Sequence, residues 1–122
     1  MVFGLLLLAA CGSGTCVDVT ADCDALYEPT FDNLHERTLV PSCALEGGCH
    51  AADSAAGGLD LSEIETAYDA LGGTLDADEL GCNTLIARID SDQDDFVMPP
   101  GSALPLAERC AIRQWVDAGA QR

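Results

Sequence analysis

Seven cysteines in a chain of 122 residues constrain the fold more than any other feature of this sequence. What they imply depends on the redox compartment. Outside the cytoplasm, cysteines of a small protein pair as disulfides, whereas inside it they more often bind metals or act in catalysis. The aromatic residues are few, one tryptophan, two tyrosines and three phenylalanines. A core with so few large side chains needs cross-links or a cofactor for stability.

The start of the chain indicates export. Residues 2–10 are almost entirely apolar and are followed by Cys11; this segment is too short to span a bilayer but fits the apolar region of a secretory signal. Leu8-Ala9-Ala10-Cys11 resembles a bacterial lipobox, although no Lys or Arg precedes the apolar run. We therefore predict a signal peptide over residues 1–10, lipidation of Cys11 and a tether over residues 11–29. A plain signal peptide and a buried N-terminal strand are the alternatives.

The residue after Cys11 indicates the membrane in which such a protein is anchored, and the net charge limits its partners. Gly12 follows Cys11 where Asp would favour the inner membrane, so we expect a periplasmic or cell-surface protein that its lipid anchors in the outer membrane rather than the inner one. The formal net charge is −16, with 21 acidic residues against five basic ones. Nothing in such a chain would neutralise the phosphates of nucleic acid. A soluble partner is expected to be a basic protein or a cation.

The even number of cysteines that remains after Cys11 predicts a disulfide framework in a short exported chain. These six are Cys16, Cys23, Cys43, Cys49, Cys82 and Cys110. We predict a short Cys16–Cys23 loop in the tether and a cross-link between Cys82 and Cys110 on late helices, out of the 15 pairings that six cysteines allow.

Hydrophobic periodicity predicts one all-α domain over residues 30–122, built from about four short helices joined by long loops. A first helix over residues 30–39 is expected to end before Pro41. A second is expected to open at Ser62 with a capping box and to end at Gly72-Gly73. Apolar residues at helical spacing mark the last two helices: Cys82, Leu85, Ile86 and Ile89 in the third, and Ile112, Trp115 and Val116 in the fourth, over residues 106–118.

Several short motifs follow one another in this domain. They are Cys49-His50, Gly57-Gly58-Leu59-Asp60-Leu61, Met98-Pro99-Pro100 and Trp115-Val116-Asp117-Ala118-Gly119-Ala120. Each motif is weak alone, but their order and separation resemble the cytochrome c-like domain of planctomycete type, which occurs in exported bacterial proteins. The resemblance covers roughly residues 31–120 and implies haem binding and electron transfer, with a redox or surface-complex protein as partner.

The resemblance also implies roles for four residues. Cys43 and Cys49 would hold haem c through thioethers, His50 would be the proximal ligand of the iron, and Met98 the distal one. The chain departs from the C-x-x-C-H motif of haem attachment, because five residues separate Cys43 from Cys49. The alternative is a haem-free structural or interaction lipoprotein that keeps the cytochrome scaffold and forms a Cys43–Cys49 disulfide.

Other chemistry has less support in the sequence. Zinc could use Cys43, Cys49 and His50, but the paired C-x-x-C motifs of zinc sites are missing. Residues 90–95 begin like a calcium loop and then lack its glycine at position 6 and its glutamate at position 12, so an acidic solvated loop is the alternative. Without a Gly-x-Ser-x-Gly motif or a distinct acid/base pair, we do not expect an enzyme.

Overall fold

The computed structural model describes residues 21–75 and 83–122 of the chain. These residues form a small all-α domain of four helices, as predicted. Helix α1 consists of three consecutive segments, Phe31–Leu34, His35–Leu39 and Val40–Cys43, and the middle one is π-helical. The others are α2 (Ile64–Leu75), α3 (Thr84–Asp90) and α4 (Leu106–Asp117), with a 3₁₀ turn at Ala56–Gly58.

Some predictions lie outside the described residues. They concern the signal peptide, the lipidation of Cys11, Gly12, and the cysteines at positions 16 and 82. Within the described ranges, no helix is both long enough and apolar enough to cross a membrane.

Helix α1 continues past Pro41, where the sequence predicted its end. A proline inside an α-helix lacks the N–H group and clashes with the carbonyl group four residues earlier. Here the preceding turn is π-helical, and the N–H of Val40 donates to the carbonyl oxygen of His35. The π turn thus directly precedes Pro41, where the regular i→i−4 hydrogen-bond ladder is interrupted. Cys43 is the last residue of α1.

Helix α2 also extends beyond its predicted end at Gly72-Gly73 and finishes at Leu75. Both glycines lie on its exposed side. Each glycine costs about 1 kcal/mol relative to alanine in a helix interior. Packing of the buried Ala67 and Leu71 against the core offsets this cost, so the helix does not need to stop there.

The capping box predicted at the start of α2 is not formed. The hydroxyl group of Ser62 donates to Oδ1 of Asp60 at 2.6 Å, and the backbone N–H of Ser62 donates to the same oxygen at 2.9 Å. Glu65 receives a hydrogen bond from Nε of Arg122 at 3.0 Å. Asp60 therefore organises the entry to this helix.

One side chain connects α2 and α3. Nδ2 of Asn83 donates to the carbonyl oxygen of Leu75 at 3.0 Å, and Oδ1 of Asn83 accepts from the backbone N–H of Ile86 at 3.1 Å. Asn83 thus caps the end of α2 and the start of α3 at once. The predicted third helix is confirmed, with Ile86 and Ile89 buried.

Aromatic rings from α1, α2 and α4 meet in the core. The ring centroid of Phe31 lies 5.1 Å from that of Tyr68 and 5.2 Å from that of Trp115. Both polar ring groups are satisfied: the Tyr68 hydroxyl donates to the carbonyl oxygen of Ala120, and Trp115 Nε1 to that of Gln121, each at 2.9 Å. The predicted fourth helix is confirmed, and Trp115 is a core residue with 2% of its surface exposed.

The disulfide Cys23–Cys110 corrects both predicted pairings. Cys23 does not pair with Cys16, and Cys110 does not pair with Cys82. The prediction favoured partners close in sequence or on neighbouring helices. The fold instead brings the chain around Cys23 against α4, where the two Cα atoms are 6.0 Å apart, a separation that suits a disulfide.

The folded domain begins before residue 30, the predicted boundary of the tether. Gln114 donates from Nε2 to the carbonyl oxygen of Cys23 at 2.8 Å, and the backbone N–H of Leu26 donates to that of Ala107 at 3.1 Å. The side chain of Tyr27 is buried in the core. Residues 21–29 are therefore part of the domain and pack along α4.

A buried ion pair joins α3 to α4. Oδ1 of Asp90 accepts from Nη1 of Arg109 at 3.1 Å, and Oδ2 accepts from Nε of Arg113 at 2.9 Å. Asp90 is the first position of the possible calcium loop, and its carboxylate oxygens bind two guanidinium groups. The residues with described positions contain no cluster of three or more His, Cys, Asp or Glu side chains that could hold a metal ion.

Candidate functional site

A cavity of about 710 Å³ lies among the four helices and the two long loops of the domain. Its walls are mostly apolar and include Leu39, Leu61, Leu71, Leu85, Ile89, Leu104 and Ile112. None of the described residues lining it is acidic, although the chain has 21 Asp and Glu residues. A volume between about 300 and 1,000 Å³ and apolar walls with a few polar groups are typical of cofactor sites.

The structure brings all four residues of the predicted site to this cavity. Cys43, Cys49, His50 and Met98 each contribute to its lining. They come from three separate parts of the chain: the end of α1, the loop between α1 and α2, and the loop between α3 and α4. Sequence reasoning therefore identified side chains that the fold places around one space.

His50 is oriented by its hydrogen bonds. Nδ1 of its ring donates to the carbonyl oxygen of Leu59 at 3.0 Å, and the backbone N–H of Leu61 donates to the carbonyl oxygen of His50 at 2.8 Å. Nε2 has no hydrogen-bond partner in the described part of the chain. A neutral imidazole that donates from one nitrogen to a backbone carbonyl keeps its other nitrogen available as a metal ligand.

Two glycines explain why the Gly-Gly-Leu-x-Leu motif follows the histidine. Gly57 and Gly58 have φ angles of 65° and 77°, in the left-handed region that favours glycine. The turn that they form directs Leu59 and Leu61 back towards His50. The motif thus supplies the carbonyl group that fixes the ring of His50.

Cys43 and Cys49 are not joined by a disulfide and are both free thiols in the structure. This contradicts the Cys43–Cys49 disulfide, which was the alternative to haem attachment. Nevertheless, the loop between them folds back on itself, because the backbone N–H of His50 donates to the carbonyl oxygen of Cys43 at 3.0 Å. The five intervening residues therefore do not separate the two ends of the loop.

The two thiols differ in environment. Cys49 is exposed, whereas Cys43 is half-buried at the end of α1. Burial, followed by the negative charge of Glu108, raises the pKa of the Cys43 thiol to about 11. At neutral pH Cys43 is therefore a neutral thiol, and its thiolate form is rare.

Met98 reaches the cavity from the loop between α3 and α4. Its backbone N–H donates to the carbonyl oxygen of Arg88, on α3, at 2.9 Å. Pro99 and Pro100 also line the cavity, and their fixed φ angles limit the freedom of the loop. Val97, immediately before Met98, is buried.

Arg88 is a residue of the site that sequence reasoning missed. It lines the cavity, and its guanidinium carbon lies 4.0 Å from the ring centroid of Phe96. Nη1 of Arg88 also donates to the carbonyl oxygen of Phe96 at 3.3 Å. The helical spacing of α3 could have placed Arg88 beside Leu85 and Ile89, but no motif distinguishes it from a solvated surface arginine.

Comparison with known proteins agrees with this geometry. No curated protein and no solved structure gives a significant match to the chain. Residues 47–102 match the family described as Planctomycete cytochrome C, a range that includes Cys49, His50 and Met98 but begins after Cys43. This match over less than half of the chain supports a cytochrome c-like domain of planctomycete type.

Proposed function

We propose that this protein is an exported lipoprotein that binds one haem c and transfers electrons. The observation that supports this most is the state of His50. Its Nδ1 is hydrogen-bonded to a backbone carbonyl group and its Nε2 is left free beside a cavity that Met98, Cys43 and Cys49 also line. An imidazole and a thioether are the iron ligands of cytochromes c, and two thiols are the groups that attach haem c covalently.

Each residue has a defined task in this proposal. Haem c supplies a one-electron couple between ferric and ferrous iron. The carbonyl group of Leu59 holds the tautomer and orientation of His50 and raises its basicity as a ligand. The thioether of Met98 would favour the ferrous state and raise the reduction potential. The apolar walls would limit access of water to the haem, which would also disfavour the more highly charged ferric state.

The cysteine spacing is the main departure from the usual attachment motif. A thioether forms when the S–H of a cysteine adds across a vinyl group of haem, so no oxidant is needed. Folding of the loop, through the bonds from His50 N–H to Cys43 at 3.0 Å and from Gly48 N–H to Leu45 at 2.6 Å, supports attachment of both cysteines to one group. We propose Cys43 and Cys49 as the two attachment residues on this basis.

The test is a visible absorption spectrum of the full chain, expressed with export and with haem-maturation genes. We expect a Soret band that survives acid-acetone extraction, because thioethers retain the haem. His50→Ala should shift and weaken this band, because the iron loses its imidazole ligand. His35→Gln is the matched control, since His35 is the other histidine and donates from Nε2 to Leu61 at 3.0 Å. A colourless protein would reject the proposal and favour the haem-free lipoprotein, the alternative that the five-residue spacing supports.

The anchor and location belong to the same proposal and rest on the sequence. We propose that Cys11 carries the lipid, that the protein lies in the periplasm or at the cell surface, attached in preference to the outer membrane, and that it acts as an electron carrier for a protein partner rather than as an enzyme. Mass spectrometry of the N-terminal peptide should show cleavage before Cys11 and a lipid-sized mass increase. In Cys11→Ser this increase should be absent.

A further inference from the structure

We propose that Arg88 is a positioning residue for Met98. Arg88 holds the loop that carries Met98 against α3. The inference rests on the proposed function, because its significance depends on Met98 being an iron ligand. Three contacts support it. The backbone carbonyl oxygen of Arg88 accepts a hydrogen bond from the backbone N–H of Met98 at 2.9 Å. The side chain of Arg88 donates from Nη1 to the carbonyl oxygen of Phe96 at 3.3 Å, and its guanidinium carbon lies 4.0 Å from the centroid of the Phe96 ring.

The side chain of Arg88 contacts Phe96, a residue of this loop. Three other arginines, Arg109, Arg113 and Arg122, bind carboxylates. Arg88 forms no ion pair with any residue of the described ranges, even though the net charge of the chain is −16. Its guanidinium group lies on Phe96 instead, an arrangement in which a planar cation attracts the face of an aromatic ring.

Arg88 contacts the loop at two positions close to each other in the chain. Phe96 is two residues before Met98, and the backbone carbonyl group of Arg88 binds Met98 itself. The same residue therefore holds the loop on both sides of Val97, which is buried. Since Arg88 also lines the cavity, it fixes the loop at the cavity wall, where the thioether of Met98 must be placed to serve as a ligand.

The first test uses the protein without haem. In Arg88→Gln, hydrogen exchange of the Met98 amide should become about tenfold faster, because the side-chain contacts that hold the loop are lost while the backbone bond remains. The chain contains two methionines, so labelling with methyl-¹³C methionine gives a simple spectrum in which the Met98 signal should move. Arg37→Gln is the matched control, as Arg37 lies over Tyr27 at 5.6 Å, outside this loop.

The second test uses the haem-loaded protein. Arg88→Gln should keep its Soret band, weaken the near-infrared band of a methionine–ferric iron bond and lower the reduction potential, since thioether ligation raises it. Arg88→Lys keeps the charge without the planar stacking group and should give intermediate values; it replaces Arg88→Gln if circular dichroism shows the latter to be unfolded. Unchanged Met98 exchange would overturn the inference. If wild-type protein binds no haem, the proposed function fails, while the exchange experiment still decides the role of Arg88.

Discussion

Loss of the Cys23–Cys110 disulfide should strongly destabilise this domain. The bond joins residues 87 positions apart, and closing a loop of that length in the unfolded chain removes entropy worth about 4.6 kcal/mol at 25 °C. Domains of this size have total stabilities of about 5–15 kcal/mol. The double variant Cys23→Ala/Cys110→Ala should therefore lose about 30% or more of the free energy of unfolding. Alanine is the suitable replacement because Cys110 is fully buried and a serine hydroxyl there would add a cost of its own.

Urea unfolding followed by far-ultraviolet circular dichroism measures this loss. With a slope of about 1–3 kcal/mol/M for a small domain, the midpoint should fall by at least about 1.5 M. With all variants prepared without haem, Cys49→Ala is the matched control, because it removes an exposed thiol that forms no disulfide, and its midpoint should stay near that of the wild type. A loss below about 1 kcal/mol in the double variant would refute the entropy argument.

Three further predictions follow from other residues. Asp90→Asn should destabilise the domain by about 3–5 kcal/mol in the same urea assay, because it leaves two arginines facing a neutral amide; a loss below 1 kcal/mol would mean that water screens the pair. In protein prepared without haem, iodoacetamide at pH 8 should alkylate Cys49 and leave Cys43 unmodified by peptide mass mapping, with Cys43 reacting only as the pH approaches its pKa of about 11; equal rates at pH 8 would contradict its burial. Gly72→Ala should stabilise α2 by about 1 kcal/mol, since nothing lies within 4 Å of the added Cβ. Gly48→Ala should instead destabilise the Cys49-His50 loop, since its Cβ would lie 2.7 Å from the carbonyl oxygen of Leu45, and equal thermal midpoints of these two variants would contradict both expectations.

Local patterns in the sequence were enough to find the helices that carry the core. The apolar residues of α4 recur at helical spacing, and Ile112 and Trp115 are buried as expected. The ends of helices were harder to predict. The extension of α1 past Pro41 depends on a π turn that no residue type specifies, and α2 passes through Gly72 and Gly73 because tertiary packing offsets their low helix propensity.

The candidate site was predicted in part. Motifs identified His50 and Met98, and the structure places both at one cavity. The partner of Cys23 could not be predicted, because disulfide connectivity depends on which distant segments the fold brings together. Arg88 was missed for a related reason: its role depends on a stacking contact with Phe96, eight residues further along in a loop whose path has no periodic signal.

The burial of Trp115 has a practical consequence for studying this protein. It is the only tryptophan in the chain and lies one helical turn after Ile112, which lines the cavity. A porphyrin held there would absorb the light that the indole emits, over a separation short enough for almost complete energy transfer. Intrinsic fluorescence should therefore be dim in loaded molecules and bright in those without haem, so that occupancy can be read optically without any added label.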